Sequence, residues 1–152
     1  MTTPPPSPLP TSFPDVEEIV VKLLQEAQSK LGADVHIGQS PPAGFNGTQP
    51  AVLVSRRGGA WLEDLHVDQP IIELEVYGPT KAAAHILANK ARGVLLPLRG
   101  RTFAPAPPAP PGSITTVVTD VVELDGPRWQ PDFIHAGANR YESVLRFVLR
   151  VY

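Results

Sequence analysis

Glu73 and Glu75 stand two positions apart in "IIELEVY". On an extended strand that places both carboxylates on one face, with Cα atoms roughly 6.6 Å apart. Such a spacing is loosely compatible with two-carboxylate glycoside hydrolysis. That chemistry also needs a cleft and an environment that splits the two pKa values, and no neighbouring residue supplies either. A solvated strand face, or ion pairs to another subunit, is the expected role. The histidines, His36, His66, His85 and His135, never fall at HxxxH or HExxH spacing. His66 and Asp68 could share a strand face, but a metal site needs a third ligand that the sequence does not point to. "VYGPTKAAAHIL" passes from strand to helix with Lys81 behind Gly78. A phosphate cradle needs several converging backbone N–H groups, and a single glycine beside a proline cannot provide them. No GxSxG elbow and no cysteine offers a nucleophile. The sequence therefore predicts no catalytic residue, no metal and no cofactor.

"SRRGGAW" is of another kind. Arg56 and Arg57 are expected to close a strand, Gly58 and Gly59 to turn the chain, and Trp61, Glu63 and Asp64 to follow in a loop. The other tryptophan, Trp129, falls in "GPRWQPDFIHAGAN", read as a second loop that also carries Phe133 and Ile134. Arginine and large aromatics on surface loops are the composition of contact hot spots. These residues are candidate partner contacts, together with Glu73, Glu75, Arg146 and Arg150 on the polar faces of two strands. A rigid Gly-Pro frame around Trp129 would lower the ordering cost of docking.

The elements that must carry these residues follow from periodicity. Asp15 caps a helix, with Glu18 three residues on. Val16, Ile19, Val20, Leu23, Leu24, Ala27 and Leu31 make its apolar stripe, and Gly32 its stop. "DVHIG" and "PAVLVSRR" read as strands, and "HVDQPIIELEVY" as a longer one. "GPTKAAAHILANKARGVLLPL" reads as a second helix, started at Thr80 and stopped by Pro97. "SITTVVTDVVEL" and "RYESVLRFVLRVY" complete the strands. In the last, Tyr141, Leu145, Phe147, Leu149 and Val151 alternate with Arg140, Glu142, Arg146 and Arg150, so one face is packed and the other polar. The order α-β-β-β-α-β-β predicts an α+β two-layer sandwich, a mixed or antiparallel sheet with two helices on one face.

Eleven of the 19 prolines lie in two stretches, residues 4–14 and "PAPPAPP" at 105–111, which are too proline-dense to build a core. Residues 1–13 are expected to be an arm dispensable for folding, 14–152 a single domain, and 104–112 a stiff connector within it. A net charge of -2 with 42% apolar residues argues for a folded domain and against a basic nucleic-acid binder. No apolar run reaches the roughly 20 residues of a membrane span. The lack of cysteine suits a reducing cytoplasm, and the start lacks the features of a signal peptide.

Three stretches together resemble the tail terminator proteins of long-tailed bacteriophages, also called tail completion or minor tail proteins. They are "PDVEEIVVKLLQEA", "IIELEVYGPTKAAAHILANKARGVL" and "DGPRWQPDFIHAGANRYESVLRFVLRVY". The resemblance implies a virion structural protein at the neck end of the tail, assembled in the host cytoplasm. It would form a homohexameric ring that caps the tail tube, ends its polymerisation and offers the head–tail joining surface. Its partners would be copies of itself, the tail tube protein and the head–tail connector, with DNA passing through unbound. A head-completion or connector protein of the same neck region, or a small ligand-binding α+β domain, are the alternatives.

Overall fold

The computed structural model describes residues 13–62, 65–104, 114–131 and 137–152. Glu63, Asp64, His135, Phe133 and Ile134, most of the arm and most of the connector lie outside the described residues. Helix α1 (Val16–Glu26) is followed by the short α2 (Gln28–Leu31) and strand β1 (His36–Gly38). Strands β2 (Ala51–Leu62) and β3 (Val67–Gly78) lead to helix α3 (Lys81–Leu95), and then come β4 (Thr102–Phe103), β5 (Thr116–Trp129) and β6 (Asn139–Val151). The protein is thus mixed α+β, with one six-stranded sheet in the order β1-β2-β3-β6-β5-β4. All pairings are antiparallel except β1 with β2.

Local chemistry starts both long helices. The Asp15 carboxylate accepts from the Glu18 N–H at 3.1 Å, and the Thr80 hydroxyl from the Ala83 N–H at 3.0 Å. The first helix does not run unbroken to Leu31, because the chain breaks at Ala27 before α2. Gln28 stabilises that break, donating to the carbonyls of Gly32 and Val35 at 2.7 and 2.8 Å. Gly78, at the turn from β3 into α3, allows a close approach that any side chain would block: an added Cβ would lie 2.7 Å from the Ala84 nitrogen.

The main core joins Val20, Leu24, Leu87 and Leu95 of the helices to Val54, Ile72, Leu74, Leu145, Phe147 and Leu149 of the sheet. Strand β6 alternates buried with less buried residues from Tyr141 on, so its register is fixed by burial. A smaller cluster of Ala51, Leu53, Tyr77 and Ala138, with Phe45 edge-on to Tyr77, forms separately.

Two expected loops are strands. β2 continues through Gly58 and Gly59 to Leu62, with a bulge between Arg56 and Gly58. The glycines do not turn the chain; Gly59 has φ 104° and lies so close to β3 that a Cβ would meet the Gln69 carbonyl at 2.1 Å. β5 likewise runs through Gly126 and Pro127 to Trp129, with register shifts at three places. Proline is tolerated there because, among the described residues, only β6 flanks that part of β5. Both tryptophans therefore sit near strand ends rather than in loops.

Candidate functional site

The antiparallel register of β2, β3 and β6 gathers five charges on one sheet face: Arg57, Glu73, Glu75, Arg140 and Glu142. Glu75 stands directly opposite Glu142, and Tyr77 opposite Arg140. Arg57 grips Glu73 with two donors, one at 3.1 Å from Nη2 to Oε1 and a shorter one from Nε to Oε2. Its Nη2 also lies 3.8 Å from Glu75. Arg140 reaches Glu75 at 3.5 Å and Glu142 at 3.7 Å, and donates to the Gln130 carbonyl at 3.0 Å. The Tyr77 hydroxyl donates to Glu75 at 3.2 Å.

Within this network a carboxyl–carboxyl hydrogen bond is among the causes that shift Glu73 and Glu142. Burial alone would push Glu73 up, but the bonds from Glu142 and Arg57 outweigh it and hold its pKa below the usual value. Glu142 is raised, first by its bond to Glu73, then by burial and by the Glu73 charge. Arg57 and Arg140 are both raised; the Glu73 bond leads for Arg57, while for Arg140 burial is the largest effect and opposes the rise, and Glu75, Tyr77 and Glu142 together outweigh it.

At Glu73 the face is not solvated. Glu73 is only 6% exposed, and its ion pair is made within the chain. Glu73 and Glu142 are the carboxyl pair whose pKa values are pushed apart. Three cavities, of about 280, 320 and 430 Å³, are lined by other residues. The charged network is built as a cross-strand clamp.

Arg56 serves in a second clamp. Both of its terminal nitrogens bond the two oxygens of the buried Asp68 carboxylate at 3.0 Å. That bidentate grip replaces the His66–Asp68 metal reading, and no group of three or more potential metal ligands occurs among the described residues. His36 meets the Ser40 carbonyl at 2.9 Å and His85 lies 3.2 Å from Asn89.

The tryptophans are both partly covered by their own chain. Trp61 is packed edge-on by Phe13, centroids 5.0 Å apart, and stacked on His66 at 6.3 Å. His66 holds a left-handed φ of 51° to do so. Trp129 pairs with Tyr141 across β5 and β6, and the Lys81 ammonium sits 3.8 Å above its ring. Lys81 thus meets an aromatic face and no phosphate cradle. Trp129 remains 45% exposed. Trp61 lies level with Asp68 of β3, and Trp129, through Tyr141, level with Val76. The two rings are therefore about 26 Å apart along the strand direction.

Arg146 faces Ile71 and Val122 on its neighbouring strands, and Arg150 lies 5.4 Å from the Tyr152 ring. Sequence reasoning missed Glu142, Arg140, Lys81 and Phe13. The first two could have been found only from the β3–β6 register, which pairs residues more than sixty positions apart.

Charge pairs fasten neighbouring strands, and aromatic rings stand at opposite ends of one sheet. A family profile described as phage tail termination protein matches residues 12–132. The chain belongs to the phage tail termination protein family, a structural family of the virion tail. The match takes in both long helices and β1 to β5, and ends before β6. No curated protein matches the chain. Among the described residues, no helix is long and apolar enough to cross a membrane.

Proposed function

We propose that the protein forms a homohexameric ring on the end of the tail tube, stops its polymerisation and presents the surface to which the head–tail connector binds. The family match over residues 12–132 carries this reading. The separation of Trp61 and Trp129 supports it, since a ring protomer needs contacts on more than one side. Trp129, and the exposed Leu62 and Leu65 at the tip of the β2–β3 hairpin, are the leading contact residues. Arg56, Arg57, Glu73 and Glu75 act by holding the hairpin rigid beneath them. The work is geometric, and no residue is assigned to catalysis.

The test is assembly of phage particles lacking this protein, viewed by electron microscopy. Loss of a terminator leaves tubes of uncontrolled length. Tails of normal length, unattached to heads, would instead identify a head-side connector. The mass of the purified protein, alone and with tail tube subunits, tests the ring itself.

A further inference from the structure

The N-terminus of α1 and strand β4 enclose a groove of about 430 Å³. Phe13, Ile19, Phe103, Ala104 and Ile114 form its apolar lining, and Asp15, Glu18 and Lys22 its rim. Lys22 and Glu18 already neutralise each other at 2.8 Å. The groove is thus apolar and lined by two phenylalanines, the surface that receives proline-rich chain in aromatic-lined recognition grooves. Both proline-rich stretches of the sequence begin or end at its walls. The arm joins the domain at Phe13, and the connector leaves at Ala104 and returns at Ile114.

We propose that this groove binds the proline-rich arm, "PPPSPLP" at 4–10, of an adjacent copy of the chain. The inference rests on the ring reading, because it needs a second copy held alongside. The arm has no charged side chain, which suits an apolar floor. Its sequence also decides between the chain's own groove and a neighbour's. Pro10 and Pro14 restrict the residues before them, Leu9 and Phe13, to extended backbone. Only Thr11 and Ser12 are left to turn the chain. Nine steps of polyproline geometry span roughly 28 Å, at about 3.1 Å per residue. Reversal into the groove that Phe13 itself lines would require a tight turn centred on Thr11 and Ser12. An extended arm reaches a neighbour instead, and its fixed φ angles reduce the ordering cost of docking there. Phe13 is anchored on Trp61 at 5.0 Å, so the arm leaves from a fixed point.

The natural chain has no cysteine, so an engineered pair reports cleanly. The full-length double variant Leu9→Cys/Ile114→Cys is oxidised mildly, with Leu9→Cys/Ile86→Cys as a control for random collision. Native mass is measured by light scattering before oxidation. The expected result is a covalent ladder of chains in denaturing electrophoresis, forming roughly tenfold faster or more than in the control because docking raises the local thiol concentration. A disulfide confined to single chains, no disulfide, or a rate equal to the control would overturn the proposal. If any of these comes with a native mass of a ring, arm exchange fails while the ring reading stands. A monomeric mass with no interchain product removes both.

Discussion

Trp129→Ala separates what the indole does for its own subunit from what it does between subunits. The ring is 45% exposed, so a little over half of its surface is already covered within the chain. A tryptophan buries about 150–250 Å² when fully enclosed, which makes the covered part roughly 110 Å². At about 25 cal/mol per Å² that is close to 3 kcal/mol, an upper value because unfolded chains are partly compact. The Lys81 ammonium over the ring adds about 0.5 kcal/mol at an exposed site. Allowing for what alanine retains, the isolated subunit should lose about 2 kcal/mol. For a domain of this size that lowers the melting temperature by about 4–8 °C. The sequence alone predicts almost no loss, because it places the ring in a loop. The exposed remainder is what a neighbour or the tail tube can cover, at about 2 kcal/mol per contact or roughly thirtyfold in affinity. Differential scanning calorimetry of the dilute subunit, run beside sedimentation of the assembled form, reads both quantities. A subunit loss above about 4 kcal/mol with unchanged assembly would refute the interface role, because the ring would then be acting as core.

Three further outcomes follow from the charged residues. Glu142 has a raised folded pKa, so its stabilising proton is fully present below the unfolded value near 4.5 and is lost as pH rises through the folded one. Glu142→Gln keeps a donor facing Glu73 at every pH and should flatten the decline in stability on the alkaline side of that transition by about 1–2 kcal/mol; identical pH profiles of urea midpoints for the two proteins would contradict the raised Glu142 pKa. Arg56→Ala leaves the Asp68 carboxylate buried without its partner, and should cost about 2–3 kcal/mol once the one-third exposure of Arg56 is allowed for. An unchanged denaturation midpoint would show that the clamp does not hold the hairpin. Duplex DNA should show no salt-sensitive binding at physiological ionic strength, because most of the described arginines are paired within the chain; a submicromolar complex in a fluorescence titration would reverse this, with Arg146 and Arg150 the first residues to substitute.

What could be read in advance depended on the range of the interaction. The capped start of α1 is set by Asp15 and Glu18, and that of α3 by Thr80, all within three residues. The alternation in β6 reflects burial repeated at every second position from Tyr141 on, so that strand was legible as well. The chain beyond Arg57 and beyond Asp125 was not. Gly58-Gly59 and Gly126-Pro127 have the composition of turns, and only the neighbouring strand turns them into bulged sheet. At Gly59 that neighbour's backbone occupies the space of a side chain, a reason for glycine that no local pattern reveals. The same limit hid the Glu73–Glu142 bond. Glu73 and Glu75 are adjacent in sequence pattern, whereas Glu142 lies on another strand.

These long-range contacts bear on the proposed assembly. Unpaired arginines and glutamates across a contact face would have to be desolvated on docking, at a cost that often cancels their attraction. Here the largest charge cluster is paired within the chain before any partner arrives. The apolar groups left for contact are modest and dispersed. Trp129 and the hairpin-tip leucines, Leu62 and Leu65, are exposed, while the rings at Trp61 and Trp129 are propped by Phe13, His66 and Lys81. A single such contact is too weak to drive aggregation, while a closed ring makes every contact at once. Cooperation among many small contacts, rather than one large apolar patch, therefore follows as the way this chain would assemble. If so, disabling one end of the sheet should abolish rings altogether and leave no population of stable dimers.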